Sequence, residues 1–176
     1  MTGFRRVLFR SSTYQKLKDA REVFHVVKRA GDGSGELAYL GQPGHLYVQM
    51  KGDGSSYGQM PEIQKLGHEF KHGEQFLEGL IGFQQLPSGK WTGYRDDLVD
   101  EGNAFIAGFT AQPVGNDQSK FLQELQRAAS MTGLPGVIKK LGQPGSPYAG
   151  RSDTQLPIVF PGGRIPPSIY AVPRTR

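Results

Sequence analysis

The 176-residue chain contains no cysteine. Disulfide staples and thiolate metal sites are therefore excluded, and the redox compartment is left open. Any metal ion has to be held by His, Asp or Glu, and the chain has four histidines. No apolar run approaches the roughly 20 residues of a membrane-spanning helix. There is no internal repeat. Two glycine-rich stretches, GDGSG (31–35) and KGDGSS (51–56), match neither a calcium-binding EF-hand loop nor a phosphate-cradling loop, and both read as turns.

Charge of one sign is also scarce where the fold should be. The formal net charge of +5 first suggests a nucleic-acid partner. Met1–Ser11 carries three arginines and no acid, and residues 143–176 carry four arginines against Asp153. With +3 set aside at each end, a net −1 remains for Ser12–Gly142. A nearly neutral body argues against a basic nucleic-acid face, so no nucleic-acid partner is expected. The opening MTGFRRVLFRS lacks the apolar centre of a signal peptide and is short for a transit sequence. It resembles a translated sequencing adaptor: FRRVLFRS (4–11) is what TTC AGA CGT GTG CTC TTC CGA TCT encodes. Residues 1–11 are read as an artefact, with the natural N-terminus lying in a longer chain.

What is present is a mixed pattern. TYQKLKDAR (13–21) reads as a short polar helix or the end of a linker. EVFHVVKR (22–29) is β-branched and aromatic and predicts a strand, and ELAYL (36–40) and HLYVQM (45–50) flank GQPG as a hairpin. A helix is predicted from Pro61 to about Glu78, with Ile63, Leu66, Phe70 and Leu77 facing the core and Gly79 as its stop. Leu80–Gln85 and Lys90–Tyr94 flank a Pro-Ser-Gly turn, as a second hairpin or an irregular loop. A second helix covers Asp96–Phe109, burying Leu98, Ala104, Phe105 and Phe109. A third, KFLQELQRAAS (120–130), is capped by Asn116 or Asp117 and is amphipathic in the manner of core packing. Residues 143–176 hold seven of the twelve prolines and no period. They read as an extended or disordered tail, docked through Ile158, Val159 and Phe160 if at all.

The chemistry concentrates in GHEFKHGEQFLE (67–78). His68, Glu69 and His72 form H-E-x-x-H. On a helix, positions four apart share one face, so two imidazoles can converge on one ion. Zinc accepts such ligands at about 2.0–2.1 Å. Glu69, one position on, is placed to hydrogen-bond a water that the ion acidifies and to take its proton as general base. A solvated polar helix face would explain the motif blandly. Two features oppose that: the motif falls inside a predicted helix, and a third ligand follows. Catalytic zinc takes three protein ligands and an open position. Glu101, in TGYRDDLVDEGNAF (92–105), lies on the second predicted helix after a connection long enough to return it to the first, the gluzincin order. His25 and His45 fall in predicted strands and read as ordinary sheet residues. Glu74 and Glu78 read as solvated. Asp97, one turn before Glu101, is either an acid that orients a ligating histidine or simple helix N-terminal charge. Tyr94 or Arg95 is a candidate for oxyanion stabilisation, against the plainer reading of a loop aromatic over the core.

LGHEFKHGEQFLEGLIGFQ followed by YRDDLVDEGNAF resembles the zincin-type metallopeptidase domains at the C-termini of Rhs-type polymorphic toxins. The likeness spans about Leu66–Phe109, under a third of the chain. It departs from the family pattern at Gly73 and Gly102, and no Rhs repeat or self-cleavage segment accompanies it. The resemblance implies His68, His72 and Glu101 as Zn2+ ligands and Glu69 as base. It also implies a secreted effector delivered to a target cell, acting on a protein or peptide substrate, with an immunity protein as a partner. The expectation is therefore a small zincin-like α+β domain over residues 12–142, with N-terminal antiparallel strands, an H-E-x-x-H helix and two further helices. Its expected activity is zinc-dependent hydrolysis of peptide bonds. The rival is an inactive zincin-like interaction module that kept the shape alone.

Overall fold

The computed structural model describes residues 12–31, 34–52, 60–155, 158, 160 and 164–172. The predicted element order is there, with additions. Helix α1 spans Ser12–Asp19, and three strands follow: β1 (Val23–Arg29), β2 (Gly35–Ala38) and β3 (His45–Lys51). Helix α2 is Glu62–Leu77, and a hairpin of β4 (Gly82–Gln85) and β5 (Trp91–Tyr94) leads to α3 (Leu98–Ala111). Helices α4 (Lys120–Thr132) and α5 (Leu134–Leu141) and a short β6 (Ile169–Tyr170) complete the described residues. The architecture is α+β: five helices and two three-stranded sheets among the described residues.

The first sheet corrects one expectation. β2 and β3 form the predicted antiparallel hairpin, with Gly41 and Gly44 at positive φ in its turn. β1, however, pairs with β3 in parallel, Val23 opposite His45 through Arg29 opposite Lys51, giving the order β1-β3-β2. The chain leaves β1, passes the end of β3's position, and lays β2 on the far side. β2 is thus an edge strand, and its Gly35–Leu37 side-chain face packs on α2. β3 alternates as a half-buried strand should, with Leu46, Val48 and Met50 turned into the core.

Two apolar clusters hold the fold. One joins the first sheet to α2 and β4 through Leu46, Val48, Phe70, Phe76 and Phe83. The other joins α3, α4 and α5 through Phe105, Leu122, Leu125, Val137 and Leu141. Leu122 and Leu125 are fully buried, each worth about 1.5–3 kcal/mol of apolar transfer. Helix boundaries follow capping chemistry. α2 ends in a Schellman motif: Gly79 at φ 67 lets Leu80 N–H donate to Gln75 O at 2.9 Å. The cap of α4 is Ser119, accepting from Leu122 N–H at 3.3 Å, rather than Asn116 or Asp117. α5 was not predicted. Its Pro135 sits in the first turn, where the missing N–H costs nothing.

The segment read as a tail departs most from expectation. Tyr148 and Ile158 are buried. β6 pairs with β4, and Tyr170 stacks on Tyr39 at 4.0 Å between centroids and accepts from Gly44 N–H at 2.8 Å. Isolated aromatic and aliphatic anchors, with no period between them, attach this stretch to both clusters. Of the three proposed docking residues, Ile158 is buried and Phe160 half-buried, while Val159 lies outside the described residues. No helix among the described residues is long and apolar enough to cross a membrane.

Candidate metal centre

The site forms where α2 and α3 cross. Their backbones approach unusually closely because the contact is made of small residues. A Cβ on Gly67 would lie 2.8 Å from Ala111 Cβ and 3.0 Å from Ala107 O, and one on Gly108 would lie 2.8 Å from Gln64 O. This approach lets one turn of α3 reach the histidine face of α2. Gly73, costly for helix propensity, serves packing: a Cβ there would meet Leu17 and Phe24 at 2.9 and 3.0 Å.

His68, His72 and Glu101 are all buried, and each turns one ligand atom to a common point. His68 Nε2 and His72 Nε2 are 3.1 Å apart, and Glu101 Oε2 lies 3.5 Å from the first and 3.8 Å from the second. The centre of a triangle with these sides is about 2.0 Å from every corner, which matches zinc–nitrogen and zinc–oxygen bond lengths. Glu101 Oε2 is buried with no hydrogen-bond partner among the described residues. Two imidazole nitrogens in contact and an unsatisfied carboxylate oxygen are a donor set that a divalent cation fits.

The surrounding bonds fix these donors. Gln75 Nε2 donates to Asp100 O at 2.9 Å, so Gln75 Oε1 is the atom that meets His72 Nδ1 at 2.8 Å. His72 Nδ1 must then carry the proton, leaving Nε2 as the atom for a metal. Burial disfavours charge on His72, but the carboxylates of Glu101, Asp96 and Glu69 outweigh it and raise its pKa to about 9. A bound ion would displace the second proton, on Nε2, and leave the one on Nδ1. Burial also opposes charge on Glu101, yet the adjacent imidazoles of His68 and His72 and the Arg151 guanidinium hold its carboxyl below the usual range. His68 is held by packing, edge-on against Phe105 at 4.7 Å between centroids.

Glu69 turns toward β2. It is buried, and burial raises its pKa against the opposing pull of His68 and His72. Its carboxylate accepts from Leu37 N–H and packs on Gly35, where a Cβ would come within 2.6 Å of Oε1. Glu69 thus bridges the helix motif and the edge of β2. A cleft of about 370 Å3 opens here, lined by Gly35, Leu37, His68, Glu69, Glu101 and Arg151 among others.

The remaining sequence candidates fall elsewhere. Asp97 does not orient a histidine: its carboxylate caps α3, accepting from Val99 N–H and Asp100 N–H at 2.9 and 3.0 Å. Its neighbour Asp96 lines the cleft instead. Tyr94 is not among the residues lining the cleft; it sits under the Arg95 guanidinium at 5.6 Å. Glu74, expected to be solvated, is buried and paired to Lys16 and Lys71. His25 and His45 stack on the outer face of the first sheet, with Nε2 and Nδ1 2.8 Å apart. Sequence reasoning missed Gln75, Asp96 and Arg151. Gln75 had a signal, three residues past His72 on the same helical face. Asp96 had a weaker one, beside a capping acid. Arg151 had none. Comparison with protein-family models, with curated proteins and with solved structures found no significant match to this chain.

Proposed function

We propose that this chain is a zinc-dependent metallopeptidase. The observation that carries the reading is the convergence of two imidazole nitrogens and one unpartnered carboxylate oxygen on a point about 2.0 Å from each. His68, His72 and Glu101 would hold the ion, and a ligand set of two histidines and one glutamate favours zinc with an open fourth position. Held there, a zinc ion would supply Lewis acidity toward a peptide carbonyl and a water. Glu69 would serve as the base that takes a proton from the attacking water and returns it to the departing amine.

The substrate class follows from the neighbouring edge strand. Just before β2, Ser34 O accepts from Lys51 N–H of β3, so Gly35 and Leu37 turn their backbone groups to the outer edge, where Leu37 N–H donates to Glu69. An extended peptide that displaced the Leu37–Glu69 hydrogen bond could add to that edge, beside the ligand triangle. A toxin effector acting on a target-cell protein, opposed by an immunity protein, is the setting suggested by the resemblance of residues 66–109.

The test is to measure bound zinc and casein-type proteolysis for wild type and Glu69→Gln. Equal zinc with cleavage reduced by about a hundredfold or more is expected. Unchanged cleavage would remove Glu69 from the chemistry, and bound zinc without cleavage in either protein would favour the inactive interaction module.

A further inference from the structure

Arg151 reaches the site from beyond α5. Its Nη1 lies 3.0 Å from Glu101 Oε1 and 2.6 Å from Asp96 Oδ2. The two oxygens of Glu101 are therefore divided: Oε1 belongs to the guanidinium and Oε2 to the histidine pair. The arginine is itself held, its guanidinium lying 4.9 Å from the Tyr148 ring centroid. Tyr148 packs edge-on to Phe105, and Phe105 packs edge-on to His68. One continuous set of contacts thus runs from the arginine back to a metal ligand.

We propose that Arg151 is a positioning residue that keeps Glu101 a one-oxygen ligand. The proposal presupposes the metal centre above. A carboxylate can grip an ion through one oxygen or two. With Oε1 engaged by Arg151, only Oε2 is offered, and the coordination place a second oxygen would fill stays open for water and substrate. Asp96 shares the same nitrogen and stops the arginine from swinging into solvent. An exposed ion pair would contribute little, but the Glu101 side chain is only 7% exposed, so its partner decides where it points. The proline-rich segment thus supplies a working part of the site.

Cobalt reports ligand number directly, because its visible absorption weakens as coordination number rises. The experiment titrates Co2+ into the metal-free full chain, wild type and Arg151→Met, the latter keeping an apolar stem over Tyr148. Thermal unfolding of the metal-free proteins is followed in parallel. The expected result is a similar melting temperature, a Co2+ Kd at least about tenfold weaker, and a weaker visible band for Arg151→Met, with Arg151→Lys recovering part of both. Should Arg151→Met not fold, Arg151→Gln is read in the same way. A folded variant with Kd within about twofold of wild type and an unchanged band overturns the positioning role while leaving the metal centre intact. Wild type that binds no Co2+ overturns both.

Discussion

Substituting Gly108 by alanine separates helix stability from metal geometry. The new Cβ would lie 2.8 Å from Gln64 O, a backbone atom inside α2 that cannot rotate away. Relief to an ordinary 3.4 Å contact requires α2 and α3 to move apart locally by about 0.6 Å. Alanine gains about 1 kcal/mol of helix propensity over glycine, whereas overpacking typically costs about 1–3 kcal/mol. Net destabilisation of the metal-free protein is therefore modest, about 0–2 kcal/mol. The metal centre is less forgiving. Glu101 stands about two turns along the same helix, and metal–ligand distances tolerate only about 0.2 Å. Zinc affinity should fall by at least about tenfold. The assay compares the melting temperature of wild type and Gly108→Ala with excess EDTA and with zinc. Because stabilisation by a ligand follows the logarithm of its concentration over Kd, the zinc-induced rise should shrink in the variant even if the EDTA values nearly coincide. Equal zinc-induced rises would refute the claim that helix approach at Gly67 and Gly108 sets the ligand triangle.

Two further outcomes follow from named contacts. Gln75→Leu removes the acceptor of the His72 Nδ1 proton, frees the tautomer, and should weaken zinc binding by about 10–100-fold with secondary structure retained by circular dichroism. Glu74 ties α2 to α1. Burial alone would raise its pKa, but hydrogen bonds from Lys16, Lys71 and Thr13 lower it to about 2 from 4.5. A depressed folded pKa means that the unfolded chain binds the proton first. The stabilisation is therefore complete above about pH 4.5 and lost as pH falls toward about 2. Allowing for solvent screening at the half-exposed Lys16, about 1–2 kcal/mol is at stake. The stability gap between wild type and Glu74→Gln in urea titrations should close over that window, and a gap independent of pH would contradict the pairing.

The parts of the fold that the sequence reveals are those written in short-range chemistry. The β2–β3 hairpin has its Gly41–Gly44 turn, α2 has Pro61 and Gly79, and α3 has Asp97 as its cap. The convergence of His68, His72 and Glu101 was legible because helical spacing and ligand type restrict each other. The parallel register of β1 on β3 was not, since a strand's sequence carries no mark of the direction in which its neighbour runs. Tyr148, Arg151 and Tyr170 were hidden for a related reason. Each acts alone across a long separation, and a single anchor in a proline-rich stretch leaves no periodic trace.

The attachment of this last stretch has a temporal consequence. Tyr170 meets Gly44 across 126 positions, and Arg151 meets Glu101 across 50. Closing loops of this length costs chain entropy and raises the fold's contact order. A nascent polypeptide displays His68, His72 and Glu101 before Arg151 emerges from the ribosome, so the candidate centre receives its arginine last in synthesis.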